Sequence, residues 1–333
     1  MEYRPIERNA DTFQQPPTER ELQAMATRSF GAGTRITSAV ELADGMYNNT
    51  FRVDIGANRP VILRVAPEPR RQHRIEPELM RNEYSTVPYL APIAPLMPQI
   101  LGIDFTHAVI GRDYMFQTLL DGIPAPAGMK TYSAAQLPGF FQQIGAWARS
   151  IHEVSGPGFG QVAGPHHPTW SQALIAWFEC AVADLADAGL DADDARQVIG
   201  ILDRHRDVLD EIRVPRLLHG DLWIVNLILA EDAGQPIITG IVDNDRTWWG
   251  DPEADWPIFM ALRRPGTERD AFWTAYGPLD DSPEARWRRR VYHARHTLSI
   301  RLEYSRRLAP DSERITTTYQ ILQQLLAQPH PHR

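Results

Sequence analysis

Apolar residues recur with a period of two near the start of the chain and with a helical period over most of the remainder. "ITSAVELA" and "TFRVDI" alternate on either side of the polar stretch "DGMYNN", and "RPVILRVA" follows the turn "GAN", which predicts three successive strands. "PELMRNEYSTVPYLA" reads as a helix after Pro77, and two further apolar stretches, "QILGID" and "RDYMFQTLL", precede a Gly- and Pro-rich segment, "DGIPAPAG", read as a linker. Beyond it, "SAAQLPGFFQQIGAWARSIHEV", "TWSQALIAWFECAVADLADAG" and "DADDARQVIGILDRHRDVLDEI" are helical by period and length, with "RLLHGDLWIVNLILA" and "PIITGIVDND" interrupting them as strand-like pieces. From about Trp256 the pattern returns to helix. At the other end, the first 17 residues read as an extended arm. Thr18 then opens a helix through the Thr-x-x-Glu form of a capping box, with Gly31 placed to end it. The pattern predicts an arm and helix over 1–30, a small β-rich lobe with a hinge over 31–122, and a larger helical lobe carrying one hairpin over 123–333.

Composition narrows the class. A chain of 333 residues, 43% hydrophobic and 23% charged, has the make-up of a globular protein and is long enough for two cores. No run of about 18 apolar residues is present, and the charged start "MEYRPIERNADTF" lacks the apolar core of a secretion signal. Cys180 is the single cysteine. A cytoplasmic protein with no membrane partner is expected. The net charge of −8 argues against nucleic acid as a partner, since phosphate backbones call for a basic face.

The hairpin carries the candidate chemistry. Phosphoryl transfer from a nucleotide needs a base for the acceptor hydroxyl, a metal to neutralise the phosphates, and a loop to hold them in line. In kinases the base Asp lies five positions before a metal-binding Asn, and a second metal-binding Asp opens a later segment. Here Asp221 in "LLHGDLWIVN" is followed by Asn226 at that spacing, and "IITGIVDND" delivers Asp243 at the end of the next strand. Two strands joined by the turn "AEDAGQP" would set Asn226 and Asp243 side by side, in the oxygen-rich, partly open kind of site that magnesium favours.

"LLHGDLWIVNLIL" followed by "GIVDNDRTWWGDPEADW" resembles the aminoglycoside phosphotransferase family of small-molecule kinases, relatives of choline and fructosamine kinases. The likeness runs from about Leu42 to Pro257 and implies an α+β, two-lobed protein-kinase-like fold with a small β-rich N-lobe, a larger helical C-lobe and a catalytic hairpin. It also implies that Asp221 is the base, that Asn226 and Asp243 hold Mg2+, that His219 braces the loop, and that Asp251 and Asp255 hold the active-site segment. In the small lobe, "DGMYNNTFRV" is similar to the family's phosphate loop, with Gly45 and Asn48 in the turn. "VILRVA" places Arg64 where the family carries its phosphate-binding basic residue, with Glu83, or else Glu78, to orient it. In the hinge "YMFQTLLDG", backbone near Thr118 and Leu120 would read the nucleotide base, and Gln117 either tunes adenine against guanine or is a buried amide. The donor is ATP or GTP.

The acceptor is less legible. Trp223, Trp248, Trp249 and Trp256 cluster in sequence around the catalytic motifs and suggest an aromatic wall, with Asp245 and Asp255 as further acceptor-site candidates. Flat aromatic faces favour a nucleoside or macrolide antibiotic over a polycationic aminoglycoside. A metabolic kinase for an amino alcohol, amino sugar or fructosamine-like acceptor is the alternative, and a nucleotide-binding pseudokinase scaffold is the rival of another class. Either a monomer or a homodimer is compatible with the sequence. The most basic stretch, "RWRRRVYHARHTL", repeats Trp287, Val291, Ala294, Leu298 and Leu302 at helical spacing, so it reads as a helix with one packed face and arginines on the other.

Overall fold

A computed structural model of the chain describes residues 1–9, 12–43, 45–56 and 60–328, with 256–258 given by backbone alone. The chain divides into two compact units, Met1–Gln72 with Leu96–Asp121, and His73–Pro95 with Gly122–Arg333. The arm and first helix therefore belong to the strand-rich unit, and residues 73–95, expected there from chain order, belong to the helical one.

In the first unit a six-stranded sheet runs β1 (Glu2–Arg4), β2 (Ile36–Glu41), β3 (Asn49–Ile55), β4 (Val61–Val65), β6 (Tyr114–Thr118), β5 (Ile100–Asp104) across its width. β2 to β6 pair antiparallel, whereas β1 adds to β2 in parallel. Helix α1 (Glu19–Phe30) has the predicted capping box: Glu21 N–H donates to Thr18 Oγ1 at 3.3 Å and Thr18 N–H donates to the Glu21 carboxylate at 2.7 Å. It ends at Gly31, whose φ of +100° suits glycine. Leu22, Met25 and Ala26 of α1 pack with the alternate strand residues Ile36, Ala39, Phe51, Val53, Leu63 and Val65, so period-two and period-3.6 patterns meet in one core. β1 carries no alternation to read in advance. Tyr3 holds it by stacking on Phe51, with 6.3 Å between ring centroids, and by donating its hydroxyl to Pro17 O at 2.5 Å.

The second unit contains α2 (Leu79–Thr86), β7 (Ile123–Pro124), α3 (Ala125–Gly128), α4 (Leu137–His152), β8 (Gly160–Gln161), α5 (Trp170–Asp187), α6 (Asp193–Arg204) and α7 (Arg206–Leu209). These are followed by β9 (Arg216–Leu218), β10 (Leu227–Leu229), β11 (Ile238–Ile241), β12 (Trp248–Gly250), α8 (Glu268–Tyr276), α9 (Pro283–Ser305) and α10 (Glu313–Leu326). Two three-stranded sheets, β11-β10-β7 and β8-β12-β9, sit among the helices. The core is shared by α5, α6, α9 and α10, and the five periodic residues of the basic stretch are all buried in it.

Three expectations change here. "DGIPAPAG" is ordered structure rather than a plain linker, because β7 pairs with β10 and Gly122, at φ +121°, lies so close that a Cβ would meet Leu229 O at 2.2 Å. The third long helix breaks at His205 into α6 and α7. On α9 the arginines do not simply coat a solvated face: Arg288 and Arg301 are buried, Arg301 in a two-bond pair with Asp194 at 3.0 and 2.7 Å.

Candidate active site

The hairpin forms as its pattern predicts. β9 ends at Leu218, residues 219–223 turn, a 3-10 turn covers Ile224–Asn226, and β10 pairs antiparallel with β11. Val242 N–H donates to Asn226 O at 2.9 Å, which places Asn226 and Asp243 at adjoining strand ends. Asp243 takes a left-handed φ of +65°, turning the chain sharply into a short 3-10 turn at Asn244–Arg246. Asn226 donates both amide hydrogens to Asp221, one to its backbone O at 2.9 Å and one to Oδ2 at 2.8 Å. That fixes the orientation of the Asp221 carboxylate and leaves Asn226 Oδ1 as an oxygen donor.

Burial pushes the Asp221 carboxyl up to about 7, with the Asp243 and Asp255 carboxylates adding to the rise and Arg246 and Asn226 opposing it. A carboxylate at that value takes a proton near neutral pH far more readily than an ordinary surface aspartate. Asn226 Oδ1 and the Asp243 carboxylate are hard oxygen donors near Asp221, and the excess negative charge there is what a divalent cation would relieve, so the residues present fit Mg2+.

The loop is clamped from behind. Asp255 accepts from His219 N–H and Gly220 N–H, both at 2.8 Å, and from His152 Nε2 at 2.9 Å. His152 Nδ1 in turn accepts from the Tyr276 hydroxyl at 2.7 Å. His219 is fully buried, its pKa lowered by burial, and its Nδ1 accepts from Asp221 N–H at 3.3 Å, so the ring braces the loop in its neutral form. Gly220 has φ +79°, and a Cβ there would meet Arg246 O at 2.1 Å, which admits only glycine. Arg246 itself donates to Glu76 at 2.9 Å, and Glu76 also pairs with Arg306. Burial alone would raise Glu76, but these two guanidiniums hold it at about 2. Asn82 on α2 donates to Asp245 O at 2.8 Å and to Thr247 O at 3.0 Å, tying α2 to the segment after Asp243.

His152, Glu76, Asn82 and Arg246 are absent from the sequence-based set. Nothing local marks them, because their partners lie at separations such as 103, 170 and 163 residues.

In the first unit, residues 45–48 connect toward β3 as expected, with Asp44 outside the described residues. Gln14 of the arm donates to Gly45 O at 3.0 Å and to Asn48 O at 2.8 Å, and Phe13 packs against Tyr47 with centroids 5.3 Å apart. A Cβ on Gly45 would sit 3.3 Å from both Asn48 O and Thr50 Oγ1, a tight fit. Arg64 is buried on β4, opposite Thr50 and Met115. Glu83 is buried on α2, whereas the Glu78 side chain is exposed beside Arg81. Gln117 is buried, and its amide donates to Met115 Sδ at 3.1 Å, as in the buried-amide reading. In the hinge, the Thr118 N–H donates to Gln99 O at 2.9 Å. Leu120 lies two residues further on, just before Gly122.

The acceptor-site candidates separate. Trp223 is 38% exposed on the catalytic loop, but Trp249 is 0% exposed and packs against Tyr89, so the two cannot form one wall. Trp248 and Trp249, being adjacent on β12, point to opposite sheet faces, and Trp248 is half-buried against Arg295. The side chain of Trp256 lies outside the described residues. Asp245 and Asp255 are buried. Asp255 therefore serves as the loop clamp rather than as an acceptor ligand. Asp251 is buried too, accepting from the Tyr292 hydroxyl at 2.6 Å and Glu253 N–H at 3.0 Å.

Residues 38–290 match the model of the phosphotransferase enzyme family. No curated protein sequence matches the chain. Among solved structures, it is similar to a protein assigned as a fructosamine-3-kinase from Thermobifida fusca, with TM-score 0.63 and 18% identity over 93% of this chain and 100% of that one. It is also similar to the GDP complex of wild-type aminoglycoside 2'-phosphotransferase-IIIa, with TM-score 0.61 and 18% identity over 93% and 99% of the two chains. A third likeness is to a thermostable mutant of aminoglycoside phosphotransferase APH(4)-Ia in ternary complex with AMP-PNP and hygromycin B, with TM-score 0.60 and 19% identity over 92% and 98%. At these identities the structures establish a shared fold, the protein-kinase-like α+β fold. Since the family model spans most of the chain, this protein belongs to the phosphotransferase enzyme family.

Proposed function

We propose that the protein transfers the terminal phosphoryl group of a nucleoside triphosphate to a hydroxyl of a small molecule. The observation that carries this reading is the Asp221 carboxylate, oriented by Asn226, adjoining Asp243, and raised to about 7. In the step, Asp221 takes the acceptor's hydroxyl proton as that oxygen bonds to the γ-phosphorus. The bond from the γ-phosphorus to the bridging oxygen breaks, and the nucleoside diphosphate leaves. Mg2+ held by Asn226 and Asp243 would supply charge neutralisation at the phosphates. Gly45, Asn48 and Arg64 are assigned to the phosphates, and the backbone near Thr118 and Leu120 to the base. The pseudokinase alternative has little support, since base, metal-ligand and phosphate-binding positions are all filled by competent residues.

For the acceptor, exposed Trp223 beside the base supports a ring-bearing, non-polycationic antibiotic of nucleoside or macrolide type. The buried state of Asp245, Asp251 and Asp255 argues in the same direction, because those carboxylates are not open to bind several ammonium groups. A second reading, a metabolic kinase, is favoured by the arginine treated below. The test incubates the protein with Mg2+ and either ATP or GTP against a panel of antibiotics and small alcohols, reading phosphorylated product by mass spectrometry. Product is expected from wild type, with kcat about 10²–10⁴-fold lower in Asp221→Asn. A variant that kept most of its kcat would remove Asp221 as the base.

A further inference from the structure

α9 carries Arg295 to a place where its guanidinium carbon lies 4.3 Å from the Trp248 ring centroid and 5.0 Å from that of Trp177. No hydrogen bond or ion pair engages that guanidinium among the described residues, and its Nε is sealed from solvent without an acceptor. Other arginines of the same unit are treated differently. Arg301 has the Asp194 carboxylate, Arg288 has Glu211 at 2.9 Å, and Arg246 has Glu76. Arg295 has two aromatic rings and no anion.

Arg295 is half-buried, so its guanidinium lies against the indoles while part of it stays open to an incoming group. A guanidinium lying on indoles still presents its N–H groups in its own plane, in the fork that matches a carboxylate or phosphate. Asp255 is the acidic group in its field, but that carboxylate already accepts from His219 N–H, Gly220 N–H and His152. The rest of the neighbourhood adds no negative charge: His296 packs on Phe259 at 4.8 Å, and burial with the positive charge of its neighbours holds it down at about 4. The position is also close to the chemistry. Trp248 is paired in the sheet with Leu218, the residue before His219-Gly220-Asp221, and Arg246, whose carbonyl abuts Gly220, lies two residues before Trp248.

We propose that Arg295, framed by Trp177 and Trp248, is an anion-recognition position of the acceptor site, so that the molecule whose hydroxyl is phosphorylated also carries a carboxylate or phosphate group. This rests on the kinase reading of Asp221. It makes Trp248, read from sequence as part of an aromatic wall, one half of a platform that orients a cation.

The experiment fills the nucleotide site with Mg2+ and ADP, then follows thermal unfolding on adding matched probes: glucuronate against glucose for a carboxylate, and glycerol 3-phosphate against glycerol for a phosphate. At least one anionic probe is expected to raise the melting temperature where its neutral counterpart does not. Arg295→Met should weaken that anion's apparent affinity tenfold or more, while its own melting temperature stays close to that of wild type. Arg295→Lys, which keeps charge but loses the fork, should lie between the two. Equal responses to charged and neutral probes would overturn the proposal, as would an anion response that survives in both variants. The shift requires no turnover, so loss of the kinase reading would show separately, as transfer that persists in Asp221→Asn.

Discussion

The loop carrying Asp221 and the turn at 45–48 are both held by one side chain from elsewhere in the sequence, and they are held in opposite senses. Asp255 is a buried carboxylate that accepts from two consecutive N–H groups, 36 and 35 residues before it. Gln14 is a half-buried neutral amide that donates to two carbonyls, 31 and 34 residues after it. Hydrogen bonds to a charged acceptor are roughly twice as strong as neutral ones. The loop carrying Asp221 is thus gripped by charge, and the turn at 45–48, proposed to admit the nucleotide, is held by a weaker contact.

Breaking the stronger brace should have the largest effect. In Asp255→Ala, the His219 and Gly220 N–H groups lose their acceptor, and each buried donor left that way costs about 1–3 kcal/mol. The melting temperature should fall by several degrees and kcat by about a hundredfold, since small misplacements of reacting groups are amplified in rate. Kinetics within threefold of wild type would mean that the clamp is dispensable.

The pH profile sharpens the same side of the comparison. The Asp221 carboxyl, raised to about 7, is protonated below that value and cannot accept, so kcat/KM should fall about tenfold per pH unit below 7 and level off above it. The corresponding limb in kcat should move to lower pH, because a cation bound at Asn226 and Asp243 favours the ionised form. A kcat/KM profile flat from pH 5 to 8 would contradict the assignment.

The weakest brace gives the smallest change. Gln14→Ala removes two neutral hydrogen bonds worth about 0.5–1.5 kcal/mol each, so the nucleotide KM should rise about three- to tenfold while kcat and the acceptor KM stay within twofold. A uniform loss in all three parameters would assign Gln14 to folding rather than to the phosphate loop.

The unequal visibility of these braces in the sequence has a physical origin. Spacing along one hairpin fixes Asp221, Asn226 and Asp243 relative to one another, and a strand pair carries that spacing directly into space. Alternation does the same for β2, β3 and β4, and helical period for the packed face of α9. Neither period can express a contact such as Asn82 with Thr247 or His152 with Asp255, where a polar side chain finds its partner only after the helices have packed. The division at residue 73 was hidden for the same reason: chain order places α2 with the strands, whereas its polar residues bond to 245–247. β1, with one apolar residue in three, offers no pattern at all. The tryptophans misled in the other direction, since neighbours on a strand face opposite ways and closeness in sequence does not make Trp248 and Trp249 one surface.

The raised Asp221 carboxyl has a thermodynamic side as well. An aspartate in the unfolded chain titrates near about 3.9, and in the fold near about 7, so the native state binds its proton more tightly than the denatured one does. The stabilisation this provides is complete below the unfolded value and is lost as pH rises through the folded one. Above neutral pH, the nucleotide-free protein therefore carries an ionised Asp221 at the expense of folding free energy. Asp221→Asn, inactive but uncharged at every pH, should melt higher than wild type above pH 7. The difference should shrink toward pH 4 and reverse sign once Mg2+ and nucleotide are bound. Thermal unfolding of the two proteins across that range, with and without nucleotide, would display catalytic readiness as a deficit in stability that the substrate removes.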